Sequence, residues 1–175
     1  MESELVDEEL SAFDEPQRPV RVLDQDTIRE PIRLLGSRSP LCLPPDATLK
    51  EAVGLMREHH VGCVLAVEGD RLAGILTERD LLLKMEGADL SRPVRELMTP
   101  DPAVLRPEDP IVYALHRMSV GGYRHVPLVD DEGRPVGILS VKDIVHYLVS
   151  FFVSDVLTLP PEPTRGEEWR GRDGA

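Results

Sequence analysis

The second half of the chain repeats the first. At a shift of 62 residues Leu43 answers to Leu105, Pro45 to Pro107, Ala52 to Ala114, Met56 to Met118 and Val64 to Val126. A one-residue insertion in the second copy moves the shift to 63. Arg71 then answers to Arg134, Gly74 to Gly137, Ile75 to Ile138, Leu76 to Leu139 and Asp80 to Asp143. A repeat of this period makes each copy one supersecondary unit. Such a unit, of about 50 residues, buries too little apolar surface to stand alone, so two of them must pack together.

Both copies read as βαββα. A short apolar strand (41–43; 103–105) leads through a Pro-containing turn into a helix with apolar residues three and four apart: Leu49, Ala52, Val53 and Met56, then Ile111, Ala114, Leu115 and Met118. A strand follows (63–67; 126–129), then a Gly-containing turn, a returning strand (72–76; 135–139) and a helix opening at Thr77 or Ser140. This predicts a mixed α/β (α+β) fold of two packed βαββα units related by a pseudo-two-fold axis. Thr27 to Leu35 reads as a lead-in helix, with Thr27 and Glu30 at capping-box spacing and Gly36 at its end. Ser91 and Pro93 open a matching connecting helix that runs to Met98. The divisions are 1–26, acidic and disordered; 27–90, the first unit with its lead-in; 91–153, the second with its connector; and 154–175, a Pro-rich disordered tail containing Trp169.

The net charge is −12, and the ends carry most of it: residues 1–30 hold 10 acids against 3 bases. That argues against a nucleic-acid backbone as partner, which needs clustered Lys and Arg. Cys42 and Cys63 stand in separate strands without a CxxC pair, which suits free thiols in a reducing cytoplasm. The apolar run 144–153 is too short to cross a bilayer, which needs about 20 residues. Membrane insertion is not expected. The same run, with Phe151 and Phe152, needs covering, and a second copy of the chain is the simplest cover, so a homodimer is expected.

The sharpest local pattern is Gly74-Ile-Leu-Thr77-Glu-Arg-Asp80, repeated as Gly137-Ile-Leu-Ser140-Val-Lys-Asp143. A hydroxyl with Asp three residues on is what a capped helix start looks like. The same geometry serves a ligand: free N–H groups at a helix start suit phosphate, and an Asp one turn in can accept from both hydroxyls of a ribose. Gly three residues before the hydroxyl would let a ligand approach the strand. The two readings coexist. His59 and His60 point to different helix faces and do not make a metal site.

Tandem βαββα units each ending in Gly-x-x-(Ser/Thr)-x-x-Asp resemble the cystathionine-β-synthase (CBS) domain family. The resemblance spans 35–152, includes Val94-Arg-Glu-Leu-Met98-Thr99 and Tyr123-Arg-His-Val-Pro127-Leu-Val-Asp130, and is closer in the second copy. It implies a pair with two clefts that bind adenosyl compounds such as AMP, ADP, ATP or S-adenosylmethionine. By residue matching Thr77 and Asp80 would face Met98, Ala103, Arg124, His125 and Val126. Ser140 and Asp143 would face Gly36, Leu41, Gly62, Cys63 and Val64. Arg124 and His125 suit phosphate oxygens, or else a solvated strand edge. The first cleft, holding that pair, is expected to be the tighter. No nucleophile, phosphate-binding loop or metal pattern marks an enzyme. The expectation is therefore a non-catalytic regulatory module that reports an adenine nucleotide to a separate protein partner and requires no cofactor. The alternative is a structural dimerisation or docking module with empty clefts.

Overall fold

The computed structural model describes Asp24, residues 26–85, Gly87 and residues 89–152. The expectations for most of 1–26, for Val153 and for 154–175, Trp169 included, lie outside the described residues. Asp24 to Tyr147 forms one compact unit. Leu148 and Val149 end the last helix, and a 3₁₀ turn, Ser150–Phe152, follows.

The mixed α+β architecture is as expected. In the first copy β1 (Cys42–Leu43), α1 (Leu49–Glu58), β2 (Cys63–Glu68), β3 (Arg71–Thr77) and α2 (Glu78–Lys84) follow in order. Next come β4 (Thr99–Pro100), α3 (Ile111–Gly121), β5 (His125–Val129), β6 (Pro135–Ser140) and α4 (Val141–Val149). Strands β1, β2, β3 and β4 make one sheet in that order, and β5 and β6 pair in a second. The repeat holds to the level of register. Each hairpin has its irregularity at the same place, after Ala66 in β2 and after Leu128 in β5. Bridges Leu105↔Leu128 and Arg38↔Ile138 stand in the second copy where β1 and β4 stand in the first.

One difference has a simple cause. Leu65 donates its N–H to Leu41 O at 2.8 Å. The matching residue is Pro127, which has no N–H to give. The rung to Ala103 is missing, and the expected strand 103–105 shrinks to the bridge at Leu105.

Alternation along β2 sends its side chains to two cores. Val64 and Ala66 pack with Leu49, Ala52 and Met56 of α1 and with Leu76. Cys63 and Leu65 pack with Ile75, against Ile138 of the other copy. The matching Ile111, Ala114, Met118, Val126, Leu128 and Leu139 are all buried. Truncating one such Leu to Ala costs about 2–5 kcal/mol.

The two connectors depart from expectation. Residues 27–35 form two 3₁₀ turns, Thr27–Arg29 and Ile32–Leu35, rather than one helix. Pro31 (ψ 144°) and Glu30 (ψ 152°) are extended, the conformation a proline imposes on its predecessor. No Thr27–Glu30 capping box forms. Asp24 Oδ1 accepts from Thr27 N–H at 2.9 Å, and Glu30 instead accepts from the Tyr147 hydroxyl. Gly36 ends the segment in the left-handed region, φ 67°, as the sequence suggests. The 91–98 connector reduces to one 3₁₀ turn, Val94–Glu96.

Both connectors are held by the other copy. Val94 N–H donates to Ala47 O (2.8 Å) and Arg95 N–H to Pro45 O (2.9 Å), tying the second connector to the first copy. Ile32 N–H donates to Asp109 O and Arg33 N–H to Pro107 O, each at 2.9 Å, tying the first lead-in to the second copy. These bonds map onto each other under the 62-residue shift, the reciprocity of a pseudo-two-fold pair.

Candidate functional site

Strands β3 and β6 each run straight into a helix, and the residue at the junction caps it. Thr77 Oγ1 accepts from Asp80 N–H at 3.2 Å, and Asp80 Oδ2 accepts from Thr77 N–H at 2.9 Å. Ser140 Oγ accepts from Asp143 N–H at 3.3 Å, and Asp143 Oδ2 accepts from Ser140 N–H at 2.7 Å. The hydroxyls add bonds of 2.6 Å to the same oxygens. Capping, one of the two readings of the motif, is thus present twice.

The second carboxylate oxygens differ. Asp80 Oδ1 accepts from Lys84 Nζ at 2.6 Å and from Thr99 Oγ1 at 3.4 Å. Asp143 Oδ1 has no hydrogen-bond donor among the described residues, although Asp143 as a whole is only 8% exposed. Burial raises the Asp80 carboxyl, but the bonds from Lys84 and Thr77 outweigh it and hold the group below the ordinary carboxylate range.

The glycines do not leave room for a ligand. A Cβ on Gly74 would stand 2.6 Å from Met98 Sδ and 3.0 Å from Thr99 O. One on Gly137 would stand 3.1 Å from Ser37 Oγ. Each glycine admits the chain's own connector, which corrects the expectation that a ligand would approach there.

Asp143 and Ser140 line a cleft of about 1120 Å³ together with Gly62, Cys63, Arg124 and His125. Of the second expected grouping, Leu41, Gly62 and Cys63 line this cleft with Ser140 and Asp143, and Gly36 and Val64 do not. The basic pair expected opposite Thr77 joins it. The register explains why: His125 lies directly across the β5–β6 hairpin from Ser140. Thr77 and Asp80 are not part of this lining. Met98 packs on the first core and covers Gly74. Val64 and Val126 are 1% and 0% exposed and present their side chains to the cores. Ala103 is half-buried and does not line the cleft.

Sequence reasoning missed several lining groups. Met56, Val61 and Ile138 give the cleft an apolar wall, and Arg38, Arg57 and Lys142 join Arg124 as cations. None of these four cations makes an ion pair with a described residue, whereas Arg29, Arg33, Arg92, Arg95, Arg106 and Arg134 all do. Among the described residues the carboxylates in the lining are Glu78 and Asp143. The cleft therefore carries a local surplus of positive charge in a chain of net charge −12. Lys142 and Arg79, the cations inside the two motifs, are open to a phosphate contact or to a solvated helix face by sequence; Lys142 lines the cleft and Arg79 does not, and Arg38 and Arg57 lie outside any motif.

Two further groups shape the electrostatics. Burial, helped by Arg124, pulls His125 below its ordinary 6.5 against the opposing pull of Glu78 and Asp143. This favours the neutral imidazole. Burial, with the Glu78 charge, pushes the Cys63 thiol up to about 12, so it is no nucleophile. Cys42 and Cys63 are both free. Among the described residues no cluster of three His, Cys, Asp or Glu could hold a metal, and no helix is long and apolar enough to cross a membrane.

Comparisons with known proteins place this geometry. The CBS domain model matches residues 32–87 and 94–150. An uncharacterised 17.7 kDa protein of Acidianus ambivalens is 32% identical over 127 residues, 70% of this chain and 74% of that protein. The chain spans only 18–26% of three longer relatives, one of them an inosine-5'-monophosphate dehydrogenase of Korarchaeum cryptofilum. The CBS domain protein PAE2072 of Pyrobaculum aerophilum, solved with AMP, superposes with a TM-score of 0.61 at 26% identity, over 70% of this chain and 98% of that one. The CBS domain pair of MJ0100, solved with 5'-methylthioadenosine and S-adenosyl-L-methionine, gives 0.63 at 24% identity, over 69% and 96%. With sequence and fold matched across both copies, this chain belongs to the CBS domain family and carries two CBS units in tandem.

Proposed function

We propose that the Asp143 cleft binds an adenine nucleotide and that the chain works as a non-catalytic regulatory module, reporting occupancy to a protein partner in the cytoplasm. The observation that carries this reading is a buried carboxylate with one oxygen open to a cleft whose cations are unpaired. Asp143 Oδ1 accepts from the ribose hydroxyls. The wall of Leu41, Met56, Val61 and Ile138 takes the adenine ring. Arg124 and Lys142, with Arg38 and Arg57, meet the phosphates. The positive surplus favours AMP, ADP or ATP over a ligand carrying a sulfonium cation. The AMP complex of PAE2072 and the adenosyl ligands of MJ0100 support the same class. The earlier ranking of the two clefts is reversed here, because the basic pair and the open carboxylate lie together.

Self-association completes the proposal. Leu82 is 84% exposed on α2, and Val145, its counterpart under the repeat, is 47% exposed on α4. A second copy covering these helices gives a homodimer.

Calorimetric titration with AMP tests the nucleotide reading. Asp143→Asn keeps an acceptor for the Ser140 cap but loses the charge behind the ribose bonds, worth about 1.5–3 kcal/mol against 0.5–1.5 for neutral ones. Affinity should fall roughly tenfold, while Asp80→Asn leaves it unchanged. If the wild-type protein binds no adenine compound, the structural-module alternative takes over.

A further inference from the structure

We infer that Lys84 is a latch that closes the first copy's ligand motif, so that each chain holds one nucleotide, at Asp143, and not two. The inference rests on the nucleotide reading of the Asp143 cleft and adds its stoichiometry.

A carboxylate offers about four acceptor positions. At Asp80 all are taken: Thr77 N–H and Oγ1 on Oδ2, Lys84 Nζ and Thr99 Oγ1 on Oδ1. Lys84 is as fully used as its acceptor. Its three N–H bonds go to Asp80 at 2.6 Å, Leu97 O at 2.9 Å and Thr99 Oγ1 at 3.4 Å. A ribose arriving at Asp80 would have to displace this ammonium and leave Leu97 O without its donor. The second copy lacks the device. Under the 63-residue shift Lys84 maps onto Tyr147, whose hydroxyl donates to Glu30 and leaves Asp143 alone. Both residues tie a helix to the neighbouring connector, Lys84 to 97–99 and Tyr147 to Glu30. Only Lys84 does so through the motif's own Asp. Met98 and Thr99, packed on Gly74, close the same corner, and α2 has seven residues with none buried.

Calorimetry and equilibrium dialysis with AMP read the outcome. Wild-type protein should bind one equivalent per chain. Lys84→Met keeps the apolar stem and removes the ammonium; it should bind a second, weaker equivalent, lost again in Lys84→Met with Asp80→Asn. Lys84→Gln serves if the Met variant does not fold. Two equivalents in the wild type, or one in a folded Lys84 variant, overturns the latch while the nucleotide reading stands. No binding by the wild type overturns both.

Discussion

Gly74→Ala tests the close approach of β4 to β3. The new Cβ would lie 2.6 Å from Met98 Sδ and 3.0 Å from Thr99 O. The sulfur can swing away, but the carbonyl belongs to β4, whose pairing with β3 matches Gly74 to Pro100 and Ile75 to Thr99. Relief therefore means moving backbone. Such overpacking costs about 1–3 kcal/mol, and the stiffer unfolded chain returns about 0.4–1. Near the middle of both ranges the net loss is about 1–2 kcal/mol. At roughly 2–4 °C per kcal/mol for a chain of this size, Tm should fall by roughly 2–8 °C. Gly137→Ala is the internal control. Its Cβ would meet Ser37 Oγ at 3.1 Å and Leu128 Cδ1 at 3.2 Å, side-chain atoms that can give. Its stability should stay within about 0.5 kcal/mol of wild type. Urea unfolding of both variants, with unchanged m-values, is the assay. A Gly74→Ala protein as stable as wild type, or a Gly137→Ala protein equally weakened, would refute the claim that β4 is fixed against β3.

On the proposed reading, which puts Arg124 at the phosphate, Arg124→Ala should weaken AMP roughly tenfold or more and leave adenosine unaffected; equal losses for both ligands in calorimetry would remove it from that role. His125 has a folded-state value below its ordinary 6.5, so the unfolded chain takes its proton first. The stability it provides is complete above 6.5 and declines as pH drops below. His125→Gln should flatten that part of the urea-midpoint profile, and an unchanged slope would show that the imidazole is not held neutral. A thiol reagent at pH 8 should modify the exposed Cys42 readily and the buried Cys63 only on unfolding; fast double labelling would contradict the packing of Cys63. Light scattering at micromolar concentration should give twice the chain mass, and a monomer would end the homodimer proposal.

Much of the fold was legible because the repeat fixes which residues face inward. Leu49, Ala52 and Met56, and Ile111, Ala114 and Met118, are buried at the spacing the sequence shows. The connectors were less legible. Pro31 was visible, yet the capping spacing of Thr27 and Glu30 suggested a helix. What decides the matter is backbone N–H groups of Ile32, Arg33, Val94 and Arg95 bonding across the pair, and no side-chain pattern records that. The two capped helix starts were legible in the motif, and the difference between their carboxylates was not. Lys84 lies four residues after Asp80, the spacing of a helical ion pair, and Tyr147 occupies the matching place.

The exchange of connectors also orders events during synthesis. As the chain emerges N-terminus first, residues 41–85 lack Val94 and Leu97, which belong to their buried core. That core can close only after residue 97 has emerged. Residues 30–33 appear early but dock on 107–111, so they wait through some 75 further residues with their apolar Ile32 uncovered. Long-range closure of this kind slows folding. Residues 30–33, although made early, are thus among the last described residues to find their place, and the Asp143 cleft, which draws on both copies, is completed only when Asp143 arrives.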